Sequence, residues 1–217
     1  MLIQSHFRAP AATSESAAGR DVSPLLAQTR ATAVTLFPEN AIIYAQGEPA
    51  GPLYLVEFGA VRICRLTSDG RRQISAFHFA GEVFGFEAGD EHHFFAESID
   101  RSGIRSLRGA AGDSLADSIL PLALAGLTRA QEHLLVLGRQ NAMEKMAAFI
   151  LDVAERQGAD RLVSLPMQRA DIADYLGLTF ETVSRILRKL KDGGVIRLPS
   201  VKQIEIMMPC ALKELCG

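Results

Sequence analysis

Glu181, Ser184 and Arg185 stand within about one helical turn of each other in the stretch QRADIADYLGLTFETVSRILRKLKDGG, and their types suit the edges of nucleic-acid bases. A carboxylate accepts from a cytosine amino group, and a guanidinium bonds a guanine edge with two donors. A serine hydroxyl is short enough to lie against a base pair between them. Phe180, Arg188 and Lys189 share the exposed positions of the same helix, and the Thr179 hydroxyl can cap its start. Thr179, Thr182, Arg188, Lys189 and Lys202 are the candidates for phosphate contact. From Arg185 to Lys202 the cations Arg185, Arg188, Lys189, Lys191, Arg197 and Lys202 face only the acid Asp192, a local bias that suits a polyanionic backbone. A solvated basic helix would show the same charge, so the apolar frame has to decide between the two.

That frame is a pair of stripes. Ile172, Ala173, Leu176 and Leu178 form one, and Val183, Ile186, Leu187 and Leu190 the other, with Gly177 at the break where a corner needs φ > 0. Small Ala173 lets the helices approach, so the stretch reads as a helix-turn-helix. Gln168 stands where Ser or Thr often caps a first helix, which predicts a loose start. Val195 to Met207, alternating at Ile204 and Ile206 and broken at Pro199–Ser200, reads as a β-hairpin wing. Ahead of it, MEKMAAFILDVAERQG gives an amphipathic helix through Met146, Phe149, Ile150 and Val153. A loop with a short strand at Leu162 to Leu165 follows.

From about Ser114 the chain is helical, and Leu120, Leu124, Leu127, Gln131, Leu134, Gly138 and Asn141 step by four and three, a seam suited to a second copy. Pro121 is then expected near the helix start. Leucines at 122, 135 and 137 widen the apolar face, one side for the chain's own domain and one for a partner. From Leu36 to Leu107 glycines split short apolar runs at about ten-residue spacing, with Ser68 to Gly70 as a hairpin turn, which predicts an antiparallel roll. The fold class is therefore α+β. The expected divisions are a flexible extension at 1–22, a β-roll sensor-like domain at 23–113, a dimerisation helix at 114–142, and a winged helix-turn-helix at 143–217.

With 217 residues, 48% of them hydrophobic, and a formal charge of −2, the composition describes a globular protein whose overall charge hides the local basic patch. His6, Arg8 and Arg20 fall in an Ala- and Ser-rich segment that reads as a solvated tail. No apolar run suits a membrane span, so a cytoplasmic protein is expected. Cys64, Cys210 and Cys216 are too few and scattered for a disulfide framework or metal site. Cys64 is expected in the core and the other two as inert thiols. His78, His92, His93 and His133 are expected at the surface, the adjacent pair on opposite sides of a strand. No residue set suggests catalysis, a cofactor or a metal.

The spacing of Gly47, Gly59, Gly70, Gly81 and Gly85, followed by a long helix and the set Glu181, Ser184 and Arg185, resembles the CRP/FNR superfamily of transcription regulators. AVRICRLTSDGRRQISAFHFAGEVFGFEAG, HFFAESI, AQEHLLVLGRQNA and DIADYLGLTFETVSR are similar to its FixK-type branch, the rhizobial nitrogen-fixation regulators. The resemblance implies a homodimer on double-stranded DNA, a TTGA-type inverted repeat, recruitment of RNA polymerase, and activation of nitrogen-fixation or microaerobic respiration genes. Two family ligands can be tested on the residues. Between Arg72 and Arg101 no Lys or Arg is present to hold a cyclic nucleotide's phosphate, and HHFFAES stands where nucleotide-binding members carry arginine. The first 63 residues hold no cysteine for an iron–sulfur cluster. Neither ligand is expected. Two alternatives stay open on residues alone: the same fold sensing haem or another small ligand, and a ligand-binding adaptor without DNA binding. Phe180 departs from the Arg, Val or Ile that relatives often carry before the glutamate.

Overall fold

The computed structural model describes residues 21–29, 32–68, 70–108, 116–139 and 141–216. Of the extension expected at 1–22, only Asp21 and Val22 lie among them; Asp69 of the expected hairpin turn lies outside. A short helix that the strand pattern did not suggest, α1 (Ser23–Gln28), comes first, with Pro24 where a helix start leaves an N–H unpaired in any case. It forms because Leu25 is buried against Leu55, Val83, Leu107 and Leu122.

The roll is built from β1 (Val34–Phe37), β2 (Ile42–Tyr44), β3 (Leu53–Phe58), β4 (Ala60–Leu66), β5 (Arg72–Phe79), β6 (Val83–Phe84), β7 (Phe95–Ser98) and β8 (Ser102–Leu107). Among the described residues they pair antiparallel in two four-stranded sheets, ordered β1-β8-β3-β6 and β2-β7-β4-β5. Tyr44, Val56, Val61, Ile63, Phe84, Ala96 and Ile104 form the core between the sheets. In β4 the run Ala60 to Cys64 is buried throughout, whereas a strand with one wet face would alternate. Val61 and Ile63 face the roll interior; Ala60 and Cys64 belong to a core shared with the C-terminal helices. Cys64 is thus buried as expected, and burial pushes its thiol up to about 11.

The long helix α2 (Ala116–Gly138) precedes α3 (Ala142–Arg156), and Asn141 caps the latter by accepting from Met143 N at 2.9 Å. Pro121 lies inside α2 rather than at its first turn, since the helix already runs from Ala116. Leu122 is buried against the roll; Leu120, Leu124, Leu127, Leu134 and Leu135 are exposed. After α3 come β9 (Leu162–Ser164), α4 (Arg169–Leu176), α5 (Phe180–Asp192), β10 (Ile196–Ser200), β11 (Gln203–Ile206) and α6 (Pro209–Glu214). The wing does not break at Pro199–Ser200. Both residues remain in β10, and the turn falls at Val201–Lys202. Pro199 is tolerated because β10 is the edge of the sheet ordered β10-β11-β9 and its register shifts between Arg197 and Ser200.

Gly59 turns the chain from β3 into β4 at φ +83°, and a Cβ there would lie 2.4 Å from Ser102 Oγ and 2.7 Å from Ser102 Cα. Gly59→Ala is expected to lower stability by ~2 kcal/mol or more in urea unfolding, from left-handed strain and the clash together. An unchanged midpoint would show that this corner yields freely.

Candidate nucleic-acid interface

The corner that presents α5 is fixed at both ends. Gln168 N donates to Asp171 Oδ2 at 3.1 Å, a capping box that removes the looseness expected from Gln168, because the acid three residues on does the holding. Gly177 ends α4 at φ 62° and ψ 42°, and Leu178 N returns to Ala173 O at 3.0 Å. Thr179 then caps α5 by accepting from Thr182 N at 3.2 Å. Val183, Ile186, Leu187 and Leu190 are buried beneath it.

Phe180, Glu181, Arg185, Arg188 and Lys189 are exposed on the other face. Hydrogen bonds from its own backbone N–H and from the Thr179 hydroxyl hold Glu181 below the ordinary carboxylate range, so it is an acceptor at neutral pH. Thr182 is half-buried; its Oγ1 lies 3.1 Å from Thr179 Oγ1 and accepts from Arg185 Nη2 at 3.4 Å. Ser184 is also half-buried, because Arg169 Nη1 at the start of α4 donates to its Oγ at 3.4 Å. Arg169 therefore joins the face, lining with Arg185, Arg188 and Lys191 a groove that runs to Leu198 of the wing. Sequence reading missed it, since nothing local shows that the first residue of one helix meets the second turn of the next. Arg188 lies 3.7 Å from Asp192, both well exposed, a pair worth little in water. Lys202 is exposed at the wing turn, where its carbonyl accepts from Leu165 N at 2.8 Å. Gln131 on α2 is exposed in line with the leucines.

Between the roll and the helices lies a partly open cavity of about 220 Å³ with Phe84, Phe86, Phe94, His78 and Glu87 on its wall. Of the two adjacent histidines next to it, His93 is exposed as expected and His92 is not. His92 is buried, stacked on Tyr44 at 3.6 Å, because the chain has left strand geometry there and both imidazoles turn toward one carboxylate. Nδ1 of His92 lies 3.3 Å from Glu87 Oε1, and Nδ1 of exposed His93 lies 2.8 Å from Oε2. Burial opposes ionisation of Glu87, but the hydrogen bonds from His93 and His92 outweigh it and hold the carboxyl below its usual range. His133 is likewise not free, stacking on Tyr175 at 3.8 Å. Among the described residues no group of three or more His, Cys, Asp or Glu could hold a metal ion.

The Crp-like helix-turn-helix domain family matches residues 144–215, and the cyclic nucleotide-binding domain family matches residues 34–98. The nitrogen fixation regulation protein FixK of Rhizobium meliloti is 53% identical over 85% of this chain and 87% of its own. FixK of Azorhizobium caulinodans is 41% identical over 83% of this chain and 77% of its own. The solved structure of FixK2 from Bradyrhizobium japonicum superposes with a TM-score of 0.79 at 40% identity, covering 86% of this chain and 98% of that one. The chain belongs to the CRP/FNR family of transcription regulators.

Membership raises the question of whether this roll suits a cyclic nucleotide. Cations do reach the cavity, which the run between Arg72 and Arg101 had not suggested: Arg129 comes from α2 and Arg156 from α3. Both are drawn to Glu82, at 3.5 Å and 2.6 Å, and the Glu87 carboxylate stands on the same wall. A cyclic phosphate would meet acids and already paired guanidiniums, so these residues do not fit it. No helix among the described residues is long and apolar enough to cross a membrane.

His78 is mostly buried at this cavity, and its Nδ1 has no hydrogen-bond partner. Burial lowers its pKa from 6.5 to about 4, against the pull of Glu82, so the folded protein keeps it neutral where the unfolded chain takes up a proton. Stability is therefore expected to fall as pH drops from about 6.5 through about 4, and the fall should be shallower in His78→Phe. Parallel urea midpoints for the two proteins across that window would mean His78 carries none of the acid sensitivity.

Proposed function

We propose that this regulator works as a homodimer that places two copies of α5 in successive major grooves, so that its operator is an inverted repeat with half-site centres ~34 Å apart. Glu181 and Arg185 read opposite members of one G·C pair, or of adjacent pairs, and Ser184 discriminates a neighbouring T·A. Thr179, Thr182, Arg188, Lys189 and Lys202 hold the phosphates, joined by Arg169. The observation that carries this reading is the capped start of α5, where an ionised Glu181 and Arg185 stand exposed above a buried apolar stripe.

The exposed Leu120, Leu124, Leu127 and Leu134, with Gln131 between the last two, support pairing through α2, because such a row is unfavourable in water. The names of the FixK relatives support a role in regulating nitrogen fixation. With it go, as part of the same proposal, a TTGA-type half-site, a cytoplasmic role as activator of nitrogen-fixation or microaerobic respiration genes, and recruitment of RNA polymerase by the exposed face of roll and wing. The boundaries at 22/23, 113/114 and 142/143 follow as working divisions.

Gel-shift titration on the inverted repeat and on scrambled DNA tests the reading. Arg185→Ala is expected to lose ~1–3 kcal/mol of operator affinity with little change on scrambled DNA. Equal loss on both would count against base reading. Lys189→Ala is expected to weaken both alike and to flatten the dependence on salt; an unaltered slope removes it from the phosphate contacts. Leu127→Glu with Leu134→Glu should shift the protein to monomer in sedimentation, and a persisting dimer would move the interface elsewhere.

A further inference from the structure

Glu82 lies at the corner between β5 and β6, and three elements far apart in sequence converge on its carboxylate. Its Oε2 accepts from Phe79 N at 3.1 Å, which fixes it to the roll. Arg129 of α2 reaches Oε1 at 3.5 Å. Arg156, the last residue of α3, bonds Oε1 through Nε at 3.0 Å and Oε2 through Nη2 at 2.6 Å. The same guanidinium donates to Phe77 O, lies 4.6 Å over the Phe79 ring, and pairs with Asp152 at 3.2 Å. The side chains of Arg156 and Glu82 are 6% and 9% exposed. A cation of the DNA-binding half is thus inserted into the roll beside the cavity where the family match would place an effector.

We propose that Arg156 and Glu82 are positioning residues for DNA recognition: their buried pair sets the placement of the helix-turn-helix on the roll, in the role an effector would otherwise fill. The geometry makes this a directional device. The guanidinium is held by two carboxylate oxygens, a carbonyl and an aromatic face, so it accepts one orientation of α3. α3 in turn packs on α5 through the core of Phe149, Ile150, Val183 and Leu187, and so passes that orientation to the base-reading face. Removing Arg156 leaves buried Glu82 with Arg129 at 3.5 Å as its remaining cation, and removing the Glu82 charge leaves buried Arg156 with the half-exposed Asp152 at 3.2 Å. Each is then poorly compensated, and a domain placement that returns it to water becomes more favourable. The inference rests on the DNA-binding reading for its consequence but not for its geometry.

The experiment uses the full chain, with Arg156→Met, Glu82→Gln and the exchange Glu82→Arg with Arg156→Glu. Operator affinity is measured relative to scrambled DNA, and tryptic cleavage after Arg139, at the junction of α2 and α3, is followed without DNA. The single variants are expected to lose about tenfold in operator discrimination and to be cleaved faster, and the exchange to recover much of both. A packing role alone would lower the melting temperature without rescue by exchange. Wild-type discrimination and cleavage in both single variants, or an exchange no better than either single, would overturn the proposal. Should Arg156→Met fail to fold by circular dichroism, the near-isosteric Glu82→Gln decides by the same readings. If the wild-type chain itself shows no operator preference, the functional reading fails instead, and the cleavage comparison alone judges the pair.

Discussion

Charge taken out of water has to be met by opposite charge, and that constraint organises the junction between the two halves of this chain. Arg62 is 7% exposed and Asp171 is 3% exposed, and they meet at 3.4 Å across 109 positions of sequence. Arg72 adds bonds to Asp171 and, at 2.9 Å, to Asp174, while Glu97 and Asn40 complete the surroundings of Arg62. Asp171 also caps α4 with its second oxygen. One carboxylate therefore ties the start of the first helix of the helix-turn-helix to the outer face of β4 and β5. A pair like this adds little net stability over apolar packing, but it leaves little freedom in how the two surfaces meet.

Around that junction the apolar core is continuous. Phe77 of the roll approaches Phe149 at 6.2 Å and Tyr175 at 4.9 Å between ring centres, and Tyr175 carries the stack with His133 of α2. Roll, long helix and helix-turn-helix thus meet at one aromatic group, with Asp171 on one side and Glu82 on the other. The arrangement explains why β4 is buried on both faces and why burial holds the Cys64 thiol above its ordinary range. It also gives the exposed side of α5 a firm base, since the stripe beneath it shares its core with the roll.

Much of the candidate site was legible because helix-turn-helix chemistry is local. The interval from Ile172 to Leu190 states two stripes, a glycine corner and a cap within a few turns, and each is found where its residue type demands. Where neighbours in space were distant in sequence, the reading went astray. Gln168 looked like a poor cap until Asp171 supplied the bond. Pro199 looked like a turn, yet an edge strand has no need of the N–H it lacks. His92 looked like a surface residue, as His93 is, because nothing in their own stretch shows that the backbone leaves strand geometry and that Glu87 bonds both.

Sequence alone determined the class of fold, the order of its parts and the face of α5 offered to solvent, because period, turn residues and caps act over a few neighbouring positions. Tertiary structure alone decided which charges are spent inside. Arg129 and Arg156 look like surface cations on their helices, and only folding brings them to Glu82. The physical reason is range: hydrogen-bonded turns and amphipathic stripes are specified by near neighbours, whereas the pairing of a buried charge depends on surfaces that exist only once the whole chain has packed.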